Sequence, residues 1–233
     1  MAFDFEDADS QTAAFANCDS LFLMRPPQLN DAFEALVARA EQAGVRHITF
    51  LSVEGAEHNP FTPPHRKEKA LKRSGIGWTL LRPAYFMQNF VTTLRTELVE
   101  RHRIFLPAGR ARFALVDVRD LGDAGGLVLT EGERHYGTAY TPTARSRLTF
   151  QQKADPLSNR LAIPIAYCSP SLRRFYTEQR ALQVAPGFIV VMMLLHFVPR
   201  FFPAPDVTAI IFDLLGRPPR ELADFVHDQS PLL

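Results

Sequence analysis

Short apolar runs alternate with amphipathic stretches along the first half of this 233-residue chain. Residues 20–24 (SLFLM) and 47–53 (HITFLSV) are typical of buried strands. Between them, residues 28–43 place apolar side chains at helical spacing, and Gly44 follows as a helix stop. Strands that alternate with helices in this way predict an α/β fold built on a parallel sheet.

The alternation continues and then becomes less regular. A basic helix is predicted over residues 64–74, a strand over 78–81 and a long helix over 86–102. The second half predicts short strands and then apolar helical stretches at 171–184, 187–200 and 206–215. We therefore expect a Rossmann-like domain over residues 1–140 and a smaller, mostly helical lobe over residues 141–233.

The charge and the cysteine content of the chain argue against several kinds of binding partner. The formal net charge is +1 with both signs mixed along the chain, which argues against nucleic acid or an anionic membrane. Cys18 and Cys168 form no CxxC pair and no metal-ligand spacing, and the acidic N-terminus has no apolar core of a signal peptide. We therefore expect a cytoplasmic protein without a metal site.

The apolar run over residues 188–198 (FIVVMMLLHFV) raises the question of a membrane span. It is shorter than the roughly 20 residues that a spanning helix needs. A buried helix, an oligomer contact or the lining of an apolar substrate pocket are the alternatives. The chain also contains no GxSxG, no HExxH and no P-loop, so hydrolase, zinc-protease and nucleotide triphosphate chemistries have no support.

Two stretches carry a family resemblance: VRHITFLSVEGAEHNPF at residues 45–61 and HRKEKALKRSGIGWTLLRPAYFMQN at residues 65–89. They resemble the NmrA-like branch of the atypical short-chain dehydrogenases, and RPAYFMQN at residues 82–89 is the most specific element. LFLMRPP at residues 21–27 and LLGRPPRELADFV at residues 214–226 are also similar. The resemblance implies an NAD(P)-binding Rossmann-like protein, with a quinone or another carbonyl compound as the substrate of an oxidoreductase.

The resemblance lacks one part. Such proteins open with a strand, a glycine-rich turn and a helix that together hold the pyrophosphate, and no GxxGxxG occurs in this sequence. We expect about two β-α units to be absent, whether through a misplaced start, a fragment or a degenerate form. We therefore expect weak or absent NAD(P)H binding, and a sheet edge that a homodimer could cover.

Two residues are candidates for catalysis. By resemblance, Ser52 at the end of a strand polarises a substrate carbonyl; alternatively, its hydroxyl bonds to local backbone. The typical Tyr-x-x-x-Lys pair is missing, and the resemblance places Arg66 where a basic residue holds a ribose or phosphate. Alternatively, Arg66 belongs to a solvated basic helix face. That face comprises His65, Arg66, Lys67, Lys69, Lys72 and Arg73.

Strand-end loops supply the other candidates. By resemblance, Met24, Arg25 and Pro26 approach the cofactor. A second loop faces the nicotinamide, and its residues are Pro83, Ala84, Tyr85 and Phe86. Gln88 and Asn89 could hydrogen-bond a substrate. Alternatively, the proline pair merely redirects the chain, and the second loop is a helix start with two aromatic core residues.

Three functions stay open on these residues. The first is an NAD(P)-dependent oxidoreductase, which follows from the resemblance. The second is a non-catalytic, dinucleotide-sensing regulator, which the missing Tyr-x-x-x-Lys pair favours. The third is an inactive remnant, which the missing glycine loop favours.

Overall fold

The structure is a computed structural model that describes residues 3–24, 32–60, 62–229 and 232. Nine strands are present in this part of the chain: β1 (Ser20–Leu23), β2 (His47–Leu51), β3 (Gly77–Leu81), β4 (Tyr85–Phe86), β5 (Arg103–Phe105), β6 (Arg112–Val116), β7 (Thr138–Tyr140), β8 (Arg147–Thr149) and β9 (Ala166–Cys168).

Ten α-helices accompany the strands within the described ranges: α1 (Ala8–Phe15), α2 (Ala32–Gln42), α3 (Pro63–Arg73), α4 (Arg95–Arg101), α5 (Val118–Glu131), α6 (Phe150–Leu161), α7 (Leu172–Ala181), α8 (Pro186–Phe197), α9 (Ile210–Leu215) and α10 (Leu222–Gln229). Short 3-10 turns lie at Ala56–His58, Met87–Phe90, Gly132–His135 and Val198–Phe201. Among the residues described, no helix combines the length and the apolar character that crossing a bilayer requires.

The chain divides into two compact units. The first comprises residues 1–84, 119–142 and 210–217, and the second comprises residues 85–118, 143–209 and 218–233. The chain therefore passes from one unit to the other several times. The boundary near residue 140 stays a prediction from the sequence.

A four-stranded parallel sheet forms the centre of the first unit, in the order β1-β2-β3-β7. β2 reads HITFL and buries its first four residues, as expected for a strand that is covered on both faces. Leu36 of α2 and Leu71 of α3 pack with Ile48 and Leu80 of the sheet in one apolar core. The predicted α/β class with a parallel sheet is confirmed.

The second unit has smaller sheets and an aromatic core. β6 pairs in parallel with β4 and antiparallel with β8, while β5 pairs in parallel with β9. Its core contains five fully buried phenylalanines, namely Phe90, Phe105, Phe150, Phe175 and Phe225.

The helix predicted over residues 86–102 is wrong in its first half. Tyr85 and Phe86 form strand β4 beside Leu115 and Val116, and the α-helix begins only at Arg95. Between them lies the β-branched run Val91-Thr92-Thr93, whose side chains lose rotamer freedom in a helix.

Two helices of the second unit have unusual features. Pro156 lies inside α6 without ending it, and Thr149 and Gln152 form a reciprocal capping box at the start of that helix. The apolar helix α8 buries only Ile189, Met192 and His196. Its other face is exposed, including Phe188, Val190, Val191, Leu194 and Leu195.

Candidate functional site

The carboxyl ends of the four parallel strands lie at one edge of the first unit's sheet. We call this the carboxyl edge, and the residues that follow its strands are Met24, Ser52, Arg82 and Thr141. In open parallel sheets, ligands bind in the crevice outside these strand ends. The carboxyl edge is therefore the candidate functional site of this unit.

Ser52 lies at this edge within a buried polar cluster. Its Oγ donates a hydrogen bond to Oε1 of Glu68 at 2.5 Å. Arg82 donates two hydrogen bonds to the same carboxylate, from Nε to Oε1 at 2.9 Å and from Nη2 to Oε2 at 2.6 Å. Nη1 of Arg82 also lies 3.1 Å from Oε1 of Glu57. We call Ser52, Glu68 and Arg82 the serine–carboxylate cluster.

The sheet register brings these side chains together. Leu51 and Leu81 are direct neighbours on β2 and β3, so Ser52 and Arg82 both follow the ends of adjacent strands. Glu68 comes from α3 and is buried with them. The hydrogen bond from Arg82 to Glu68 raises the pKa of the guanidinium, which therefore stays cationic.

The hydroxyl of Ser52 has a partner that neither interpretation of the sequence named. A hydroxyl carries one proton, and Ser52 gives it to Glu68 rather than to local backbone. Its oxygen can still accept a hydrogen bond. The catalytic role of Ser52 stays a prediction.

Arg66 is exposed on α3, and its guanidinium has no hydrogen bond or ion pair within the described residues. Lys69 is exposed on the same helix, whereas Lys67 is buried. His65 is partly buried and places Nδ1 2.9 Å from the carbonyl oxygen of Ala56. Among the basic residues of α3, Arg66 thus offers a planar fork of donors that a ribose or phosphate could use.

The strand-end loops differ in exposure. Met24 is 62% exposed and Val53 is 45% exposed, so both present apolar surface at the carboxyl edge. Pro83 and Ala84 are buried; the Pro83 carbonyl accepts from the Glu54 amide, and the Ala84 amide donates to Pro142. Arg25 and Pro26 lie outside the described residues.

The exposed side chains at the carboxyl edge are compatible with a dinucleotide, because Met24 and Val53 suit the face of an aromatic ring. On α3, the guanidinium of Arg66 has no partner within the described residues and suits phosphate or ribose oxygens. The carbonyl of Pro83, the amide of Ala84 and the hydroxyl of Ser52 are already engaged by protein groups. The cofactor contacts expected of Met24 and Arg66 stay predictions, and Val53 is a further candidate for such a contact.

The remaining candidates belong to the second unit. The Tyr85 ring packs edge-on against Phe150 and His196, with centroids 5.7 and 5.6 Å apart. Its hydroxyl is hydrogen-bonded to the side chain of Asn89, yet burial raises the pKa of Tyr85 well above its ordinary value. Phe86 is half-buried in β4. Tyr85 is consequently a weak proton donor.

Gln88 uses both ends of its amide to hold one turn. Nε2 donates to Oδ1 of Asp117 at 3.0 Å, and Oε1 accepts from the backbone amide of Val118 at 3.1 Å. The turn that it fixes connects β6 to α5. The substrate contact expected of Gln88 and Asn89 stays a prediction.

Lys153 and His196 form a second buried polar group, which was not predicted from the sequence. Nζ of Lys153 donates to the carbonyls of Phe113 and Leu148 at 3.0 and 2.7 Å. Burial, and secondarily the charge of Arg147, lowers the pKa of Lys153 to about 7. We call Lys153 and His196 the lysine–histidine pair.

His196 of this pair is almost wholly buried and neutral. Its Nδ1 lies 2.6 Å from the carbonyl oxygen of Met192, while its Nε2 has no hydrogen-bond partner among the residues that the structure describes. Burial lowers the pKa of His196 to about 4. The sequence carries a signal for Lys153, because it shares helical spacing with the apolar residues Phe150, Ala154 and Leu157. Within the described part of the chain, no group of three side chains is suited to hold a metal ion.

Comparison with known proteins defines the class. Residues 1–107 match the family described as NAD(P)H-binding. The chain is 30% identical to a (4-alkanoyl-5-oxo-2,5-dihydrofuran-3-yl)methyl phosphate reductase of Streptomyces griseus, over 97% of this chain and 81% of the relative. It is 25% identical to the NAD(P)H azoreductase of Xenophilus azovorans, over 96% and 80%. It is 27% identical to quinone oxidoreductase 2 of Escherichia coli, over 79% and 66%.

Solved structures show the same fold. The quinone oxidoreductase QOR2 of Escherichia coli, solved with NADPH, superimposes with a TM-score of 0.84 at 23% identity, over 97% of this chain and 82% of that one. NmrA, a negative transcriptional regulator solved with NAD, superimposes with a TM-score of 0.71 at 17% identity, over 96% and 78%. The fold is thus that of the Rossmann-like NAD(P)-binding reductases. The chain belongs to the NAD(P)H-binding family, in agreement with the resemblance that its sequence carries.

Proposed function

We propose that this chain is an NAD(P)H-dependent oxidoreductase that reduces a quinone or a related carbonyl compound. The observation that carries the proposal is the carboxyl edge, where Met24 and Val53 present apolar surface and where α3, the helix of Arg66, contacts Ser52 through Glu68. Relatives of 25–30% identity include reductases, one of them a quinone oxidoreductase.

Arg66, Met24 and Val53 have binding roles in this proposal. Arg66 holds a phosphate or ribose oxygen through its fork of donors and does not donate a proton, because its guanidinium stays protonated. Met24 and Val53 shield one face of a ring from water. When bound, NAD(P)H supplies the hydride.

A quinone becomes a hydroquinone when it gains one hydride and one proton. Ser52 gives its proton to Glu68, and the pKa of Tyr85 is raised, so neither side chain is a good acid in this arrangement. We infer that the proton comes from water, which suits a quinone because its reduced oxygen is weakly basic.

The alternative is a dinucleotide-sensing regulator without catalysis. The observation that favours it is the engaged hydroxyl of Ser52, together with the missing Tyr-x-x-x-Lys pair. Such a protein would use the same residues of the carboxyl edge for binding and would turn over no substrate.

The test is a titration of the purified chain with NADPH and NADH, followed by nucleotide fluorescence, and then an assay of NADPH oxidation with 2-methyl-1,4-naphthoquinone. Saturable binding with turnover supports the reductase, and binding without turnover supports the regulator. A folded chain that binds neither nucleotide up to millimolar concentration would refute both.

The variant Arg66→Gln tests the role of the guanidinium. Losing a charge-assisted hydrogen bond costs about 1.5–3 kcal/mol, so we expect the nucleotide Kd to rise about tenfold or more, with little change in kcat. The matched control is Lys69→Gln, which removes an exposed charge from the same helix. Equal effects of the two substitutions would mean that Arg66 acts only through general charge.

A further inference from the structure

The second unit contains a cavity of about 630 Å³ beside strand β6 and the start of α6. Its lining includes Gly109, Arg110, Arg112, Thr149 and Gln152, and it has no acidic side chain. The volume lies within the range of about 300–1,000 Å³ that is usual for small-molecule sites. A cavity with cationic and no anionic lining favours an anionic ligand.

Two of the lining guanidiniums have no counter-charge. Arg110 and Arg112 flank Ala111 at the start of β6 and are both exposed. Neither makes a hydrogen bond or ion pair through its side chain with any residue that the structure describes. Unpaired guanidiniums are preorganised forks for carboxylate and phosphate oxygens.

A third guanidinium, that of Arg200, lies against Gly109, which lines the cavity. Gly109 has a φ of +54°, and a Cβ at this position would come within 2.7 Å of Nε of Arg200. Only glycine therefore lets Arg200 lie across this backbone. The Arg200 guanidinium also stacks over the ring of Phe197, 4.8 Å from its centroid, which restrains the side chain.

The start of helix α6 adds a fourth positive feature. Thr149 accepts from the backbone amide of Gln152 at 3.2 Å, and Oε1 of Gln152 accepts from the backbone amide of Thr149 at 3.0 Å. This capping box fixes the first turn of a 12-residue helix at the cavity wall. The positive end of the helix dipole therefore adds to the potential of the three arginines.

We propose that this cavity binds the compact anionic group of a small molecule, either a phosphate monoester or a carboxylate. Arg110 and Arg112 bind its oxygens, and Arg200 and the start of α6 add positive potential. The remaining lining, which includes Tyr167, accommodates the organic part of the ligand. The proposal does not depend on whether the chain reduces a quinone.

Calorimetry with phenyl phosphate and benzoate tests the proposal, with benzyl alcohol as the uncharged probe. We expect the chain to bind at least one anion, to bind it more weakly as salt is raised, and not to bind the alcohol. In the double variant Arg110→Gln/Arg112→Gln, the affinity should fall at least tenfold. Preference for one of the two anions identifies which group the cavity takes.

The matched control is Arg173→Gln, since Arg173 is an exposed arginine of α7 that does not line the cavity. It should leave the affinity unchanged. Gly109→Ala should weaken binding by displacing Arg200, and thermal melting establishes that each variant is folded. The proposal is overturned if the wild type binds neither anion, or if the double variant binds as tightly as the wild type.

Discussion

Two buried polar clusters in this chain compensate the loss of hydration of their ionisable groups in opposite ways. In the serine–carboxylate cluster of the first unit, Glu68 and Arg82 are both buried and their charges are paired at 2.6 Å. In the second unit, Lys153 and His196 are buried among aromatic rings, and their hydrogen-bond partners are backbone carbonyls. One cluster keeps its charges, and the other suppresses them.

The difference follows from desolvation. A buried charge is unstable unless a counter-charge compensates it, and otherwise the group shifts its pKa towards the neutral form. Arg82 has the Glu68 carboxylate, so the pKa of its guanidinium is raised. Lys153 is bonded to carbonyl oxygens and faces aromatic rings, so burial, with a further contribution from the charge of Arg147, lowers its pKa to about 7. We therefore expect the first cluster to respond to substitution and the second to respond to pH.

Breaking the charged cluster should have the largest effect. Glu68→Gln leaves the cation of Arg82 buried without its bidentate carboxylate. Removing one partner of a buried ion pair costs about 3–5 kcal/mol when the other charge stays uncompensated, and here Oε1 of Glu57, 3.1 Å from Nη1 of Arg82, still compensates part of the charge. We expect the free energy of unfolding, measured by urea denaturation, to fall by an amount at the lower end of that range.

A control for this variant exists on the surface of the same unit. Glu34 lies 3.9 Å from Arg73, and both side chains are largely exposed. Glu34→Gln should change the free energy of unfolding by less than about 1 kcal/mol, since exposed ion pairs contribute little. If the two variants lose similar stability, the buried cluster has no special role in holding the sheet edge.

The carboxyl edge could be predicted from the sequence because its elements are local. The apolar runs that form β1, β2 and β3 are short and distinct, so the sequence predicts Met24, Ser52 and Pro83 at or just beyond strand ends. The family resemblance added the expectation of a cofactor at that edge. The parallel pairing of adjacent strands then brings these ends together.

The partners of these residues could not be predicted, because they depend on tertiary contacts. Glu68 is the single acid in a basic helix run, and nothing in that run indicates that it turns towards Ser52 and Arg82. In the same way, Tyr85 and His196 are far apart in the chain, and only the fold places their rings 5.6 Å apart. Periodicity predicts which face is buried but not which polar groups meet there.

Removing the Ser52 hydroxyl alone should have an intermediate effect on stability, smaller than that of Glu68→Gln. Ser52→Ala deletes one hydrogen bond to a charged acceptor but leaves the Arg82–Glu68 pair intact. We expect a loss of about 1.5–3 kcal/mol in the free energy of unfolding. Ser74→Ala is the control, because the hydroxyl of Ser74 bonds to uncharged backbone groups, the carbonyl of Leu71 at 2.8 Å and the amide of Ile76 at 3.4 Å, and its loss should cost less.

The same variant separates stability from catalysis. If Ser52 serves only the cluster, kcat for quinone reduction should stay near that of the wild type at temperatures where the variant is folded. A loss of kcat of a hundredfold or more, with unchanged KM, would contradict that reading and would support the catalytic role predicted for Ser52 from the sequence.

The lysine–histidine pair should affect how the free energy of unfolding depends on pH. The pKa of Lys153 is about 7 in the folded chain, whereas an unfolded lysine has a pKa of about 10.4. Between these values the unfolded chain binds more protons, so the free energy of unfolding rises with pH, by up to about 1.4 kcal/mol per pH unit. Lys153→Met removes this contribution and should flatten the curve between pH of about 7.5 and 9.5. The curve of free energy against pH then has a matched control.

The control is Lys69→Met, which removes an exposed lysine and should keep the wild-type slope of the free energy of unfolding against pH. Parallel curves for the wild type and Lys153→Met would mean that Lys153 remains charged in the folded chain, and that its two carbonyl partners compensate the charge as effectively as Glu68 compensates Arg82.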